Sequence, residues 1–191
     1  MAVCQPPMTL KAGVDCTAHD VNIDAGSCDE DGDGFSLAQE PQASSPLPIG
    51  DTSVKLTVSD GTLSFSCTTT VTVTNNSPDI TPIEESTVLV GGSVRMSVTA
   101  SDPESHDLIY SWGTGDCPGA AIVDDGTATP TLSIAAGTSP GICQVSVKVS
   151  DSCDDFDENT ATVRPMTLLT SFLFSLLLLW ISSRHGFPSS S

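Results

Sequence analysis

The sequence predicts an all-β chain: two tandem β-sandwich domains followed by one C-terminal transmembrane helix. Three observations carry this expectation. Short alternating runs rich in Val and Thr fill the chain before Thr160, the period-two pattern of half-buried strands. One of these runs recurs: Ser53-Val-Lys-Leu-Thr-Val-Ser-Asp-Gly61 returns as Gln144-Val-Ser-Val-Lys-Val-Ser-Asp-Ser152, with Asp60 and Asp151 91 residues apart. Residues 166–183 are then 18 uncharged residues, 12 of them apolar.

Charge and composition narrow the function classes. The 191 residues include 24 Asp and Glu against 6 Lys and Arg, a formal net charge of −18. Phosphate neutralisation needs a basic stripe, so no nucleic-acid partner is expected. An apolar content of 38% falling into alternating runs also argues against a disordered acidic tail. All the acidic residues precede Asn159, and residues 1–165 carry −19, so that part of the chain belongs in water.

The first domain is placed at residues 1–76. Val21-Asn-Ile-Asp-Ala25 alternates like a strand, an acidic turn follows at Asp29-Glu-Asp-Gly-Asp33, and the strand at Ser53 is followed by a second at Thr68–Thr74. Asn75-Asn-Ser-Pro-Asp79 reads as the link, with Asn75-Asn-Ser77 a formal glycosylation sequon weakened by Pro78. The second domain, residues 77–164, repeats the order: an acidic turn at Asp102-Pro-Glu-Ser-His-Asp107, the strand ending at Asp151, and a last strand at Asn159-Thr-Ala-Thr-Val163. A spacing of about 80–90 residues with short strands and turn signals is that of tandem sandwiches.

The second unit resembles the PKD-like immunoglobulin fold. The likeness rests on Ser101-Asp-Pro-Glu, on Asp107-Leu-Ile-Tyr-Ser-Trp112 and on Val145-Ser-Val-Lys-Val-Ser-Asp151. The first unit is similar to both PKD-like and HYR (hyalin repeat) modules through Pro48-Ile-Gly-Asp-Thr-Ser-Val-Lys-Leu-Thr-Val-Ser-Asp60 and Ser66-Cys-Thr-Thr-Thr-Val-Thr-Val73. The resemblance spans roughly residues 10–164. It implies two tandem immunoglobulin-like sandwiches with extracellular spacer, adhesion or ligand-binding roles, and no catalysis. Two departures bear on any family cation site: Glu-Ser-His replaces Asp-Gly in the second acidic turn, and Ser152 replaces the Gly after Asp151.

Seven cysteines stand at 4, 16, 28, 67, 117, 143 and 153, with no C-x-x-C pair, and His19, His106 and His185 are far apart in sequence. A structural zinc site is therefore not expected, and the cysteines read as disulfides of an oxidising compartment. Alternation puts Cys143 on one face with Val145, Val147 and Val149. It groups Cys67 with Phe65, Val71 and Val73, and Cys16 with Val14. The expected pairs are Cys117–Cys143 and Cys16–Cys67; Cys4, Cys28 and Cys153 are left open.

The acidic turns raise the question of calcium. Asp29, Asp31, Asp33, Gly34 and Glu40 satisfy the EF-hand spacing, but the flanks are strand-like and Pro41 follows at once. A looser site fits better. In an immunoglobulin-type sandwich the loops between the second and third strands and between the last two strands gather at one end. Asp29, Asp31 and Asp33 would then approach Asp60. Asp102, Glu104 and Asp107 would approach Asp151 and the linker residue Asp79. The competing expectation is that these are turn residues, solvated and nothing more.

The apolar run 165–183 is read as the transmembrane helix, about 27 Å long at roughly 1.5 Å per residue, against a hydrocarbon core of about 30 Å. Arg164-Pro165 and Arg184-His185 bound it, and 184–191 is a short cytoplasmic tail. A removed glycolipid-anchor signal or a frame error are the alternatives. The N-terminus lacks an apolar export segment, so a fragment of a longer protein is expected.

No Walker loop or H-E-x-x-H occurs, and carboxylates on exposed turns lack the cleft and raised pKa of an acid–base pair. Tyr110 and Trp112 share the face of Leu108 and read as core rather than as a sugar platform, and His19 and His106 as exposed loop residues. The expectation is a non-enzymatic cell-surface structural, adhesion or partner-binding ectodomain, with residues 1–164 outside the cell. Its partners would be the membrane, through a single span, and an extracellular protein or glycan. The alternative is an accessory region of a larger secreted or membrane-bound enzyme whose catalytic domain is missing from this chain.

Overall fold

The computed structural model describes residues 1–29, 32 and 34–168. The chain forms two compact units that do not follow a single cut in sequence. The first comprises Met1–Asp79 with the loops Ser101–Leu108 and Ser150–Phe156; the second comprises Ile80–Ala100, Ile109–Val149 and the chain from Asp157.

In the first unit the strands are β1 (Met8–Lys11), β2 (Thr17–Ala18), β3 (Ser36–Glu40), β4 (Leu47–Pro48), β5 (Gly50–Ser59) and β6 (Ser64–Thr74). A four-stranded sheet runs β1-β6-β5-β3, and β2 pairs with β4. The first strand lies parallel to the last, Met8 opposite Val71 and Lys11 opposite Thr74. Strands β5 and β6 form an antiparallel hairpin from Gly50↔Val73 to Ser59↔Ser64. Alternation does what the sequence predicts along β5, where Val54, Leu56 and Val58 are buried and the residues between them are not. The core gathers Ala12, Ala18, Val21, Ile23, Leu47, Val54, Leu56, Val71 and Val73, each larger aliphatic contributing about 1.5–3 kcal/mol by leaving water.

After β7 (Asp79–Ile80), the second unit holds β8 (Ser86–Leu89), β9 (Ser93–Arg95), β11 (Ile109–Gly113), β12 (Ala120–Val123), β13 (Thr131–Ile134), β14 (Cys143–Ser150) and β15 (Phe156–Met166); β10 (Ala100–Ser101) pairs with β7. One sheet runs β11-β14-β15-β8 and a second runs β12-β13-β9. By chain order these are the C-F-G and B-E-D groupings of an immunoglobulin-like sandwich, with β8 added beside the last strand. The first unit repeats the four-stranded sheet, with the same order and the same parallel first–last pairing. Trp112 is 6% exposed and its Nε1–H donates to the Thr127 carbonyl at 2.9 Å, so it is a core residue.

The expected transmembrane helix is corrected. Among the described residues no helix is long and apolar enough to cross a membrane, and a single-span membrane partner is not supported. Arg164-Pro165 does not end the strand. β15 continues to Met166 because β8 supplies a parallel neighbour, with Pro165 opposite Val88 and Met166 opposite Leu89. Arg164, read as a membrane flank, is ion-paired with Glu85. The remainder of the apolar run and the tail, from Leu169 on, lie outside the described residues.

Cys117 and Cys143 are bonded, with Cα atoms 4.9 Å apart. The expected Cys16–Cys67 pair is corrected: Cys67 joins Cys4, Cys16 joins Cys153, and Cys28 is a free, exposed thiol. Cys16 departs from the expected face because it is not in a strand. It sits in a turn at φ +63°, where period two does not apply, and its supposed face-mate Val14 is exposed. Phe65, assigned inward, is exposed too, because β6 runs past the edge of the core.

Candidate functional site

The first unit carries a buried polar cluster on the two loops that come from late in the chain. Each loop is wound around one aspartate by the same device. Asp102 Oδ1 accepts from the backbone amides of Glu104 and His106 at 2.9 and 2.8 Å. Asp151 Oδ1 accepts from the amides of Cys153 and Asp155 at 2.8 and 3.0 Å. In both, one carboxylate oxygen satisfies the amides two and four residues on, the local bonding that makes Asp a turn residue. Ser105 and Asp154 take the left-handed backbone that the tight windings require.

Both carboxylates lie beside His106, Asp102 through Oδ1 and Asp151 through Oδ2. The His106 side chain is fully shielded, with Nδ1 3.5 Å from Asp102 Oδ1 and 3.8 Å from Asp151 Oδ2. Its Nε2 lies 2.9 Å from the Gly13 carbonyl oxygen, which can only accept, so Nε2 carries the proton. Asn75 Nδ2 donates to Asp151 Oδ2 at 2.7 Å and to Asp155 Oδ2 at 3.0 Å. Asp102 Oδ2 and His106 Nδ1 are buried with no hydrogen-bond partner. Asp102, His106 and Asp151 each offer one donor atom within 4.8 Å of the others.

Glu104 turns to a different task. It pairs with Lys11 Nζ at 3.0 Å and accepts from Asn76 Nδ2 at 2.8 Å and the Asn76 amide at 3.1 Å. Burial works to raise its pKa, but the hydrogen bonds from Asn76 and Lys11 prevail and hold it below the ordinary glutamate value.

The sequence-derived acidic set therefore separates. Asp102 and Asp151 converge, as the loop arrangement of the sandwich leads one to expect. Asp107 and Asp79 are exposed and outside that trio. Asp29 and Asp60 line one narrow cleft with Phe35, Leu63 and Phe65. There Asp60 Oδ1 accepts the amides of Thr62 and Leu63 at 2.7 Å each, bonds that lower its pKa. Asp31 and Asp33 lie outside the described residues. Glu40 closes β3 opposite Lys55, a strand position rather than the twelfth residue of a helix-flanked loop.

Two members of the cluster were not found from sequence. His106, read as an exposed loop residue, is 5% exposed, and Asn75 was read as a sequon. The signal for His106 was available in its spacing, four residues after Asp102, the reach of the amide winding. Cys153 Sγ approaches His106 Nε2 at 3.7 Å, but that sulfur is bonded to Cys16, so the Cys–His–Asp alignment holds no free nucleophile.

No family model matches the chain. Chitinase A of Pseudoalteromonas piscicida is 32% identical over 157 residues, covering 72% of this chain and 19% of the chitinase. The chain thus spans about a fifth of the length of the curated relative it matches. Among solved structures, the titin domains z1z2 in complex with telethonin align at a TM-score of 0.43 and 16% identity, over 85% of this chain and 94% of theirs. Human protocadherin-24 EC1-2 aligns at 0.40 and 16%, over 87% and 99%. The endo-fucoidan hydrolase MfFcnA4 of glycoside hydrolase family 107 aligns at 0.39 and 15%, over 86% of this chain and 28% of that one. Scores of this size carry no inference about fold or function. The immunoglobulin-like character rests on the strand order of the two units, and the chain resembles part of a carbohydrate-active enzyme.

Proposed function

We propose that this chain is an accessory, non-catalytic β-sandwich region of a larger secreted carbohydrate-active enzyme. The observation that carries the reading is the local match to a chitinase, which involves most of this chain but a small share of that enzyme. The architecture supports it. Both units are β-sheet with shielded cores, the carboxylates of Asp102 and Asp151 are engaged by the amides of their own loops, and Trp112 is buried rather than offered to a sugar. Three disulfides suit an oxidising, extracellular compartment. We take the two units to be of the PKD-like kind, on the strength of Tyr110-Ser-Trp112 and the Val-x-Asp strand end at Asp151.

The role is then to space and orient a hydrolase on its polymer. Reading the encoding transcript upstream of Met1 is expected to find an in-frame glycoside hydrolase domain, while the chain by itself releases no reducing sugar from colloidal chitin. Hydrolysis by the chain itself would overturn the non-catalytic assignment. An upstream frame of further repeats without a hydrolase would favour a surface stalk instead.

A further inference from the structure

We propose that Asp102, His106 and Asp151 form a site for a divalent transition-metal ion of the zinc type, with His106 Nδ1 as its nitrogen donor. The inference goes beyond the accessory role and does not depend on it.

The tautomer comes first. Nε2–H is committed to the Gly13 carbonyl at 2.9 Å, so in the neutral ring Nδ1 presents a lone pair. That lone pair faces two carboxylates and is buried without a partner. A lone pair aimed at two negative oxygens in a shielded site is repulsive unless a cation stands between them. A proton on Nδ1 would be one answer. Charge-assisted N–H···O bonds close to about 2.7–2.9 Å, and the separations here, 3.5 and 3.8 Å, are longer than such a bond and leave room for an ion. With metal–donor distances of about 2.0–2.2 Å, adjacent donors in a tetrahedral site stand roughly 3.4 Å apart.

The surroundings are those of a ligand set. A metal-bound imidazole ordinarily donates its other ring N–H to a carbonyl or carboxylate, which fixes ring and tautomer, and Gly13 supplies that acceptor. The Oδ1 atoms of Asp102 and Asp151 are each pinned by two backbone amides. The Asp102 oxygen 3.5 Å from Nδ1 is this pinned Oδ1, while Oδ2 of the same carboxylate is buried and unpartnered, so the group retains an oxygen for an ion. Two carboxylates and a neutral imidazole sum to two negative charges, which a divalent ion cancels, while the nearby Lys11 is engaged by Glu104. The nitrogen donor selects the metal: calcium and magnesium take oxygen ligands, whereas imidazole with carboxylate suits zinc, cobalt or nickel.

The test uses the full oxidised chain, stripped with chelator and titrated with Zn²⁺, Co²⁺ and Ca²⁺ by calorimetry and thermal unfolding. One equivalent of Zn²⁺ is expected to bind. With free metal about a hundredfold above Kd, the unfolding midpoint should rise by several degrees. Co²⁺ should give visible d–d absorption of a low-coordinate N/O site. His106→Gln is expected to weaken Zn²⁺ binding by at least tenfold while keeping the β-sheet circular dichroism. Should that variant misfold, the cobalt spectrum of the unaltered chain and the Asp102→Asn variant decide the matter. No heat and no midpoint shift with Zn²⁺ or Co²⁺ would overturn the site, as would stabilisation by Ca²⁺ alone.

Discussion

Cys16 and Cys153 are bonded across 137 residues of sequence, and both belong to the first compact unit. The bond fastens the loop Ser150–Phe156 to the turn at Cys16, beside His106. Closing so long a loop removes much of the freedom of the unfolded chain. A Cys16→Ser/Cys153→Ser double variant should therefore lose about 2–5 kcal/mol of stability, read as a lower urea midpoint at unchanged β-sheet content.

The same pairing scheme fixes the thiol count. Three bonds consume six of the seven cysteines and leave Cys28 exposed. The folded, unreduced chain should titrate one thiol with a maleimide or Ellman reagent, and Cys28→Ser should titrate none. A count of three or more in the native chain would contradict the scheme.

Glu104 gives the chain an acid-sensitive element. Its folded pKa is held below the ordinary value of 4.5, so its contribution to stability is present above that value and is lost as pH falls through the lowered folded pKa. Unfolding midpoints measured from pH 6 downward should drop as that range is crossed. Glu104→Gln should be less stable at pH 6 and show a shallower fall, since the amide has no proton to gain. Lys11 is well exposed, so 0.5 M salt should weaken its share of the effect.

Gly115 marks a backbone approach that no side chain can share. It sits at φ +54°, and a Cβ there would stand 2.1 Å from the Gln144 carbonyl oxygen. Gly115→Ala should destabilise the chain by at least about 1–3 kcal/mol from the left-handed backbone alone, with the steric conflict adding to it. The measurement is the thermal midpoint beside that of Gly126→Ala, where nothing lies within 4 Å of the new methyl.

These expectations also show what could be read from the sequence. The strands at Val54–Val58 and Val145–Val149 were legible because period-two alternation is local, and the repeat at Asp60 and Asp151 corresponds to one strand order found in two separate sheets. The approach of Asp102 to Asp151 followed from where sandwich loops gather. Cys16 was misjudged because a positive-φ turn breaks the alternation on which its pairing was inferred. His106 was missed because its burial depends on Gly13, 93 residues away, and on loops from the other repeat. The strand through Pro165 was cut short because its partner β8 lies almost eighty residues upstream. For His106 and Pro165 the deciding contact was distant in sequence, where pattern has no reach.

The parallel pairing of β15 with β8 and the late loops of the first unit have a consequence for biosynthesis. The unit that begins at Met1 draws Ser101–Leu108 and Ser150–Phe156 into its structure. A ribosome that has released the first eighty residues has therefore not released a complete unit. Closure of the Cys16–Cys153 bond must wait for the emergence of Cys153. Nascent chains arrested before that point should remain open to proteases and to mispairing of Cys16, and oxidative folding enzymes would have to keep that thiol available until its partner arrives.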